Sequence, residues 1–96
     1  GVVWVVADWC SVCKQFDRQT LSDARVSGRL GGMNVARVDI TKMGEAEVTL
    51  LQDLGLVGPP GVLFYDQGRE IPAARLVGFE GPEDFLARLG RVGGGA

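Results

Sequence analysis

Both cysteines of this 96-residue chain lie in one short stretch, Ala7-Asp8-Trp9-Cys10-Ser11-Val12-Cys13-Lys14. The stretch follows an apolar run at residues 1–7 and opens a segment with helical spacing. Two cysteines three positions apart on the first turn of a helix can close a small disulfide ring. Free N–H groups and the helix dipole at that end favour a thiolate on Cys10, and the thiolate is the reactive form of cysteine. The pattern predicts a thiol–disulfide redox site formed by Cys10 and Cys13.

The cysteine pair has two other interpretations. A structural disulfide across two residues would close a very short loop, which constrains the unfolded chain comparatively little. A structural zinc ion usually takes four Cys or His ligands, whereas this chain has two Cys and no His. A zinc site would therefore need carboxylates or a second chain. The position of the pair between a strand and a helix favours redox chemistry over both alternatives.

Length and composition predict one small domain, in which 46% of the residues are hydrophobic. The net charge of −2 and the lack of a basic run argue against a nucleic acid partner or an anionic membrane surface. The apolar run at residues 1–7 is too short to span a bilayer. The chain starts on this run without an initiator Met, so we expect a piece of a larger protein. We expect the isolated piece to be a monomer.

The order of strands and helices predicts an α/β domain. Strands are expected at residues 1–7, 34–40, 62–65 and 74–79, and helices at residues 11–18, 24–30, 45–54 and 82–90. The first two strands are joined through helices and should be parallel, whereas the last two should form an antiparallel hairpin. The result is a central mixed β-sheet with helices on both faces. The domain covers residues 1–90, and Gly90 ends the last helix before a flexible tail at residues 91–96.

Several segments together are similar to one family. They are the stretch at residues 7–14, Phe16, Thr20-Leu21-Ser22-Asp23, the Gly58-Pro59-Pro60 loop before Val62-Leu63-Phe64-Tyr65, and Ala74-Arg75-Leu76-Val77-Gly78-Phe79. With these segments the chain resembles the thioredoxin superfamily over nearly its whole length. Within it, the chain looks like the thioredoxin-like domains of bacterial transmembrane thiol:disulfide interchange proteins. The resemblance implies a thioredoxin-like fold and a redox-active Cys10–Cys13 disulfide that needs no organic cofactor and no metal.

The resemblance also implies a location and partners. A domain of this kind lies in the periplasm and belongs to a protein of the inner membrane. It takes electrons from the membrane domain of that protein and passes them to another periplasmic domain of the same protein. Its partners are therefore protein disulfides and dithiols. The family's domain usually begins with an extra strand and helix, which this sequence does not contain.

The family's site residues can be carried over to this sequence one by one. Cys10 matches the nucleophile, which we expect to be the exposed thiol, and Cys13 matches the resolving cysteine. Trp9 matches an aromatic residue beside the redox site, and plain core packing is its alternative. Pro60 matches a proline that is cis in this fold and lies against the disulfide. Asp17 matches an acid beneath the cysteines, and its alternative is an exposed helix carboxylate paired with a neighbouring cation.

Two positions depart from the family pattern. Thioredoxins usually carry a buried acid six residues before the first cysteine, and Trp4 stands there in this chain. Pro59 precedes the expected cis proline and has no backbone N–H, so only its carbonyl is left to pair with a partner strand. Because Trp4 replaces the buried acid, Asp17 is the nearest acid with a route to the sulfurs.

The sequence leaves other functions open. A free-standing thioredoxin-like reductase, reduced by a soluble enzyme, would use the same cysteine pair. A metal-binding module would use Cys10 and Cys13 as thiolate ligands. An interaction domain that keeps only the fold is disfavoured by the intact cysteine pair.

Overall fold

The computed structural model describes residues 1–92, which form a five-stranded sheet and four α-helices. The strands are β1 (Val2–Val6), β2 (Val35–Asp39), β3 (Gly61–Asp66), β4 (Arg69–Glu70) and β5 (Leu76–Val77). The helices are α1 (Ser11–Phe16), α2 (Ala24–Leu30), α3 (Glu45–Leu54) and α4 (Pro82–Val92). A π-helical turn (Asp17–Leu21) follows α1, and a 3₁₀ turn (Pro72–Ala74) precedes β5. The predicted α/β class is confirmed.

β1 lies in the middle of the sheet, whose strand order is β2-β1-β3-β4, with β5 also paired to β3. It runs parallel to β2 and antiparallel to β3. Every residue of β1 is apolar, which suits a strand that is covered on both faces. The parallel first pair and the mixed sheet agree with the prediction from the sequence.

Alternate side chains of β3 contribute to two separate cores, one on each face of the sheet. Phe64 belongs to the core formed with α1, α2 and α4, in which Phe16 and Phe85 are fully buried. Leu63 belongs to the other core, which contains Leu51 of α3 and both cysteines. Helices therefore cover both faces of the sheet, as predicted.

α3 has the predicted bounds because both of its ends are capped. The side chain of Glu47 accepts a hydrogen bond from the N–H of Gly44 at 2.8 Å, just before the first turn. Gly55 takes the left-handed conformation, with φ 70°, and ends the helix. On this helix Leu51 is buried, whereas Val48 is exposed and does not join the core.

The second half of the predicted hairpin differs from the structure. β3 turns back directly into β4, and the strand predicted at residues 74–79 shrinks to β5. Pro72 explains the difference, because it has no N–H for a strand ladder and begins the 3₁₀ turn instead. The chain pairs with β3 again only at Leu76 and Val77, and Gly78 takes a positive φ of 103° directly afterwards.

The last helix runs further than predicted. α4 continues through Val92, so the expectation that Gly90 ends it was wrong. Residues 91 and 92 are therefore helical, and residues 93–96 of the predicted tail lie outside the described residues. None of the helices within residues 1–92 is both long enough and apolar enough to cross a membrane.

Candidate active site

The two cysteines form a disulfide where α1 begins. Cys10 is the N-cap residue with extended backbone, Cys13 lies in the first turn, and their Cα atoms are 5.2 Å apart. The backbone N–H of Cys13 donates a hydrogen bond to Sγ of Cys10 at 3.0 Å. A donor in this position stabilises negative charge on Cys10 when the disulfide is reduced.

Exposure does not separate the two sulfurs as expected. Cys10 is 7% exposed and Cys13 is 4% exposed, because both side chains join the core around α3. The expectation of an exposed Cys10 is therefore wrong for the disulfide form. The N–H group that faces Cys10 distinguishes the two residues better than their exposure does.

Aromatic and polar contacts fix the redox helix to the rest of the fold. Phe16 packs edge-on against Phe85 of α4, with ring centres 5.2 Å apart. Thr20 in the π-helical turn is fully buried, and its hydroxyl donates to the carbonyl of Glu80. The carboxylate of Glu80 accepts two hydrogen bonds from Arg88 of α4, at 2.8 and 2.9 Å. The helix that carries the cysteines is thereby held against α4.

Trp9 is exposed, so plain core packing is the wrong interpretation for it. Its side chain is 56% exposed, and its indole N–H donates to the carbonyl of Thr41 at 3.0 Å. The Thr41 hydroxyl accepts from the N–H of Asp8 at 2.9 Å, and both the hydroxyl and the N–H of Thr41 donate to Asp39. These two donors, the hydroxyl first, hold the pKa of Asp39 below its ordinary value. The loop after β2 thus fixes the residue that precedes Cys10.

The Pro59–Pro60 peptide bond is cis, as the resemblance implies. Pro60 is buried directly before β3, and its carbonyl accepts a hydrogen bond from the N–H of Gly78 at 3.2 Å. Pro59 is half-buried and has no N–H to offer to a partner. Contact between the Pro60 ring and the disulfide stays a prediction.

A crevice of about 70 Å³ opens beside Cys13. Its walls include Trp4 of β1, Arg37 of β2, and Lys14 and Asp17 from the redox helix and the turn after it. Asp17 is exposed, and within residues 1–92 it forms no ion pair with a neighbouring Lys or Arg. The structure therefore brings the predicted acid to the same crevice as Cys13, and the alternative of a paired helix carboxylate finds no support.

Reasoning from the sequence missed Arg37. It lies opposite Trp4 in the parallel register of β1 and β2, and its guanidinium carbon is 5.8 Å from the centre of the Trp4 ring. This distance fits a cation–π contact. The available signal was a cation in the middle of a strand expected to pair with the first strand, but the register of that pair could not be deduced from the sequence.

The residues around the cysteines offer little to a metal beyond two thiolates. In the part of the chain that the structure describes, no group of three or more His, Cys, Asp or Glu side chains is close enough to hold a metal ion. A reduced Cys10–Cys13 pair, by contrast, can pass two electrons to another disulfide through its sulfurs alone. The geometry therefore fits dithiol–disulfide exchange.

Comparison with known proteins points to the same chemistry. Residues 2–93 match the family model of a thioredoxin-like domain. Over 91 residues the chain is 44% identical to the thiol:disulfide interchange protein DsbD of Ralstonia nicotianae, covering 94% of this chain and 15% of that protein. Over 84 residues it is 40% identical to DsbD of Pectobacterium atrosepticum, covering 86% and 15%. The chain thus spans about 15% of the length of these relatives.

Solved structures agree with this match. The C-terminal domain of Neisseria meningitidis DsbD in its oxidised form gives a TM-score of 0.82 at 28% identity, over 94% of this chain and 77% of that chain. A thioredoxin from Thermus thermophilus gives a TM-score of 0.79 at 27% identity, over 95% and 71%. The predicted thioredoxin-like fold is thereby confirmed. The chain belongs to the thioredoxin-like domain family, and its Cys10–Cys13 disulfide lies where the first helix begins.

Proposed function

We propose that this domain carries electrons from a membrane domain of its parent protein to another domain in the periplasm. The observation that carries the proposal is the Cys10–Cys13 disulfide at the start of α1, in a chain that matches DsbD proteins over most of its own length and about 15% of theirs. Its partners are then protein disulfides and dithiols, chiefly other domains of the same protein. The proposed location is the periplasm, with the parent protein in the inner membrane.

Cys10 is the nucleophile in this proposal. The Cys10 thiolate attacks a sulfur of the partner disulfide, and the partner's other sulfur leaves as a thiolate that takes up a proton. Cys13 then gives up its proton and attacks Sγ of Cys10. The Cys10–Cys13 bond forms while the bond to the partner breaks, so the partner leaves with both of its sulfurs reduced. Two electrons have moved to the partner, and no cofactor takes part.

Four further residues support the exchange. Asp17 receives the proton of Cys13 during the second step, and its position in the crevice beside Cys13 supports this role. Pro60 closes one side of the disulfide, and Pro59 offers its carbonyl to the backbone of the partner. Trp9 gives the partner an exposed aromatic surface next to Cys10, as aromatic residues commonly do at interfaces.

The reduction potential of the Cys10–Cys13 couple tests the direction of electron flow. The domain is equilibrated with glutathione buffers of defined potential, and its free thiols are counted after acid quenching, with the double variant Cys10→Ser/Cys13→Ser as the blank. A value of about −270 mV or below supports an electron donor. A value of about −120 mV would indicate an oxidant and overturn the proposed direction, while leaving the exchange chemistry intact.

A free-standing thioredoxin-like reductase is the second candidate, and the similarity to the Thermus thermophilus thioredoxin favours it. Trp4 argues against it, because thioredoxins usually carry a buried acid at this position. The two candidates differ in their electron source. A soluble thioredoxin reductase with its nicotinamide cofactor should reduce the Cys10–Cys13 disulfide rapidly only if the second candidate is correct.

A further inference from the structure

Four charged side chains line the crevice beside Cys13. Lys14 and Arg37 are cations, Asp8 and Asp17 are anions, and their formal charges balance. They come from three parts of the fold, which are the loop after β1, the redox helix with its following turn, and β2. Loss of either cation therefore leaves a net negative charge in the lining of the crevice that Cys13 shares.

Trp4 supplies a wall of this crevice but no base. An indole N–H is only a donor, and Trp4 Nε1 is buried without a hydrogen-bond acceptor among residues 1–92. Trp4 therefore cannot take a proton from Cys13. It offers the face of its ring, and the guanidinium of Arg37 lies over that face.

Arg37 is held in this position from two sides. The register of β1 and β2 sets it opposite Trp4, and Nη1 of Arg37 lies 3.9 Å from Oδ2 of Asp39. The side chain is still 57% exposed, so solvent screens its charge and its influence on neighbours is modest. An arginine stays protonated at every pH at which thiols titrate. Arg37 is thus a permanent cation on the wall that it shares with Cys13.

We propose that Arg37, stacked on Trp4, is a positioning residue that stabilises the Cys13 thiolate while Cys13 resolves the mixed disulfide. The proposal rests on the exchange chemistry of Cys10 and Cys13 and not on the direction of electron flow. Arg37 replaces neither nucleophile nor base. It lowers the free energy of the anion that forms when the Cys13 thiol loses its proton.

The resolving step balances without a further reactant. Cys13 gives its proton to Asp17 or to water, since a crevice of about 70 Å³ has room for about two water molecules. The Cys13 thiolate attacks Sγ of Cys10, and the new S–S bond forms as the bond between Cys10 and the partner breaks. The partner's sulfur leaves with the electron pair of that bond and takes up a proton from solvent.

A nearby cation has opposite effects on the rate of resolution at pH values below and above the Cys13 pKa. Below the pKa the thiolate population limits the rate, so the cation speeds resolution. Above the pKa Cys13 is fully ionised, and a more stabilised thiolate is a weaker nucleophile, with a Brønsted slope of about 0.4–0.5. Removal of Arg37 should therefore slow resolution at low pH and speed it at high pH. For a half-exposed charge we expect a change of roughly twofold in each direction.

Stopped-flow reaction of the reduced domain with dithiobis(nitrobenzoate) separates the two steps. Attack by Cys10 releases the first nitrothiobenzoate at a rate proportional to the reagent concentration. Attack by Cys13 on the mixed disulfide releases the second at a rate independent of that concentration. The second rate is measured across pH for the natural sequence, Arg37→Gln, Arg37→Lys and the control Arg69→Gln. Arg69 lies on β4, at the opposite edge of the sheet from β2.

Crossing pH profiles for Arg37→Gln and the natural sequence, with Arg37→Lys close to the natural sequence and Arg69→Gln unchanged, support the proposal. Profiles that coincide for Arg37→Gln and the natural sequence would overturn it. Slowing by the same factor at every pH would also overturn it, because a purely structural defect acts in that way. Absence of the first release would instead contradict the exchange function of Cys10, so the two failures can be distinguished.

Discussion

The backbone N–H of Cys13 donates to the sulfur of Cys10 at 3.0 Å. The free donor of the first helical turn is therefore directed at Cys10, whereas Cys13 lines the charged crevice. Different groups therefore influence the two thiolates. The N-terminus of the helix stabilises the Cys10 thiolate, whereas the charged residues of the crevice influence the Cys13 thiolate directly. Substitutions in the crevice should change the Cys10 titration only through coupling between the two thiols.

Asp17→Asn should lower the apparent pKa of Cys10 and make the domain less reducing. The carboxylate of Asp17 opposes a second negative charge in the crevice, so its removal favours thiolate in the coupled pair. The rate of Cys10 alkylation is measured across pH, and the potential is measured against glutathione. Asp53→Asn on α3 is the matched control, since Asp53 is also an exposed helix carboxylate. An alkylation curve that stays in place would make Asp17 only a solvated carboxylate.

Trp4→Asp should restore a titration like that of thioredoxins with a buried acid. The new carboxylate would stand opposite Arg37 in the β1–β2 register and add a titrating group to the crevice beside Cys13. We expect an additional coupled step in the pH dependence of Cys10 alkylation. Loss of the indole from a largely buried site should cost about 3 kcal/mol of stability. Trp4→Phe keeps an apolar ring and should lack the extra step; identical curves for the two variants would contradict the prediction.

Pro59→Val should tighten the complex with a partner domain whose cysteines are replaced by serine. The substitution restores one backbone N–H beside the site, and one hydrogen bond is worth about 0.5–1.5 kcal/mol. Pro59→Ala is the control for side-chain shape, because it restores the same N–H and should give most of the same gain. Calorimetric titration of both variants measures the effect. Unchanged affinity in both would mean that the partner does not dock at this loop.

Acid should loosen Trp9 through Asp39. The pKa of Asp39 is lowered in the folded protein by the Thr41 hydroxyl and then by the Thr41 N–H. The stabilisation is therefore complete above about pH 3.9, where an unfolded aspartate titrates, and is lost as the pH falls through the lower, folded value. In a Trp4→Phe background, which leaves Trp9 as the sole tryptophan, the fluorescence anisotropy of Trp9 should fall in this range. Asp39→Asn should show the lower anisotropy already at neutral pH.

Local patterns predicted most of the fold. The apolar run at residues 1–7 predicted β1, and the predicted bounds of α3 agree with the structure. The return strand of the predicted hairpin is shorter than expected because Pro72 removes a ladder donor and begins a turn, so only Leu76 and Val77 pair with β3. The prediction that Gly90 ends α4 was wrong because a helix tolerates a single glycine when packing stabilises it. In α4 the buried side chains of Phe85 and Leu89 provide that packing.

The cysteine pair was predictable because its spacing alone defines a small disulfide ring, but its surroundings were only partly so. Asp17 could be placed near the sulfurs, since the helix predicted at residues 11–18 carries both Asp17 and Cys13. Arg37 could not, because its place beside Cys13 depends on the register between two strands whose paired residues, such as Trp4 and Arg37, are far apart in sequence. The hold of Thr41 on Trp9 likewise joins parts of the chain far apart in sequence. The spacing of Cys10 and Cys13 in the sequence is enough to predict the redox chemistry. The charges around the pair depend on contacts between distant parts of the chain, which the sequence does not reveal.

Trapping of a mixed disulfide tests the central claim that Cys10 attacks and Cys13 resolves. Reduced Cys13→Ser and reduced Cys10→Ser are each mixed with a partner protein that carries a disulfide, quenched by acid and analysed by non-reducing electrophoresis and mass spectrometry. We predict that Cys13→Ser accumulates a covalent complex through Cys10, while Cys10→Ser traps nothing. A complex formed through Cys13 in the Cys10→Ser variant, with none in Cys13→Ser, would contradict the account.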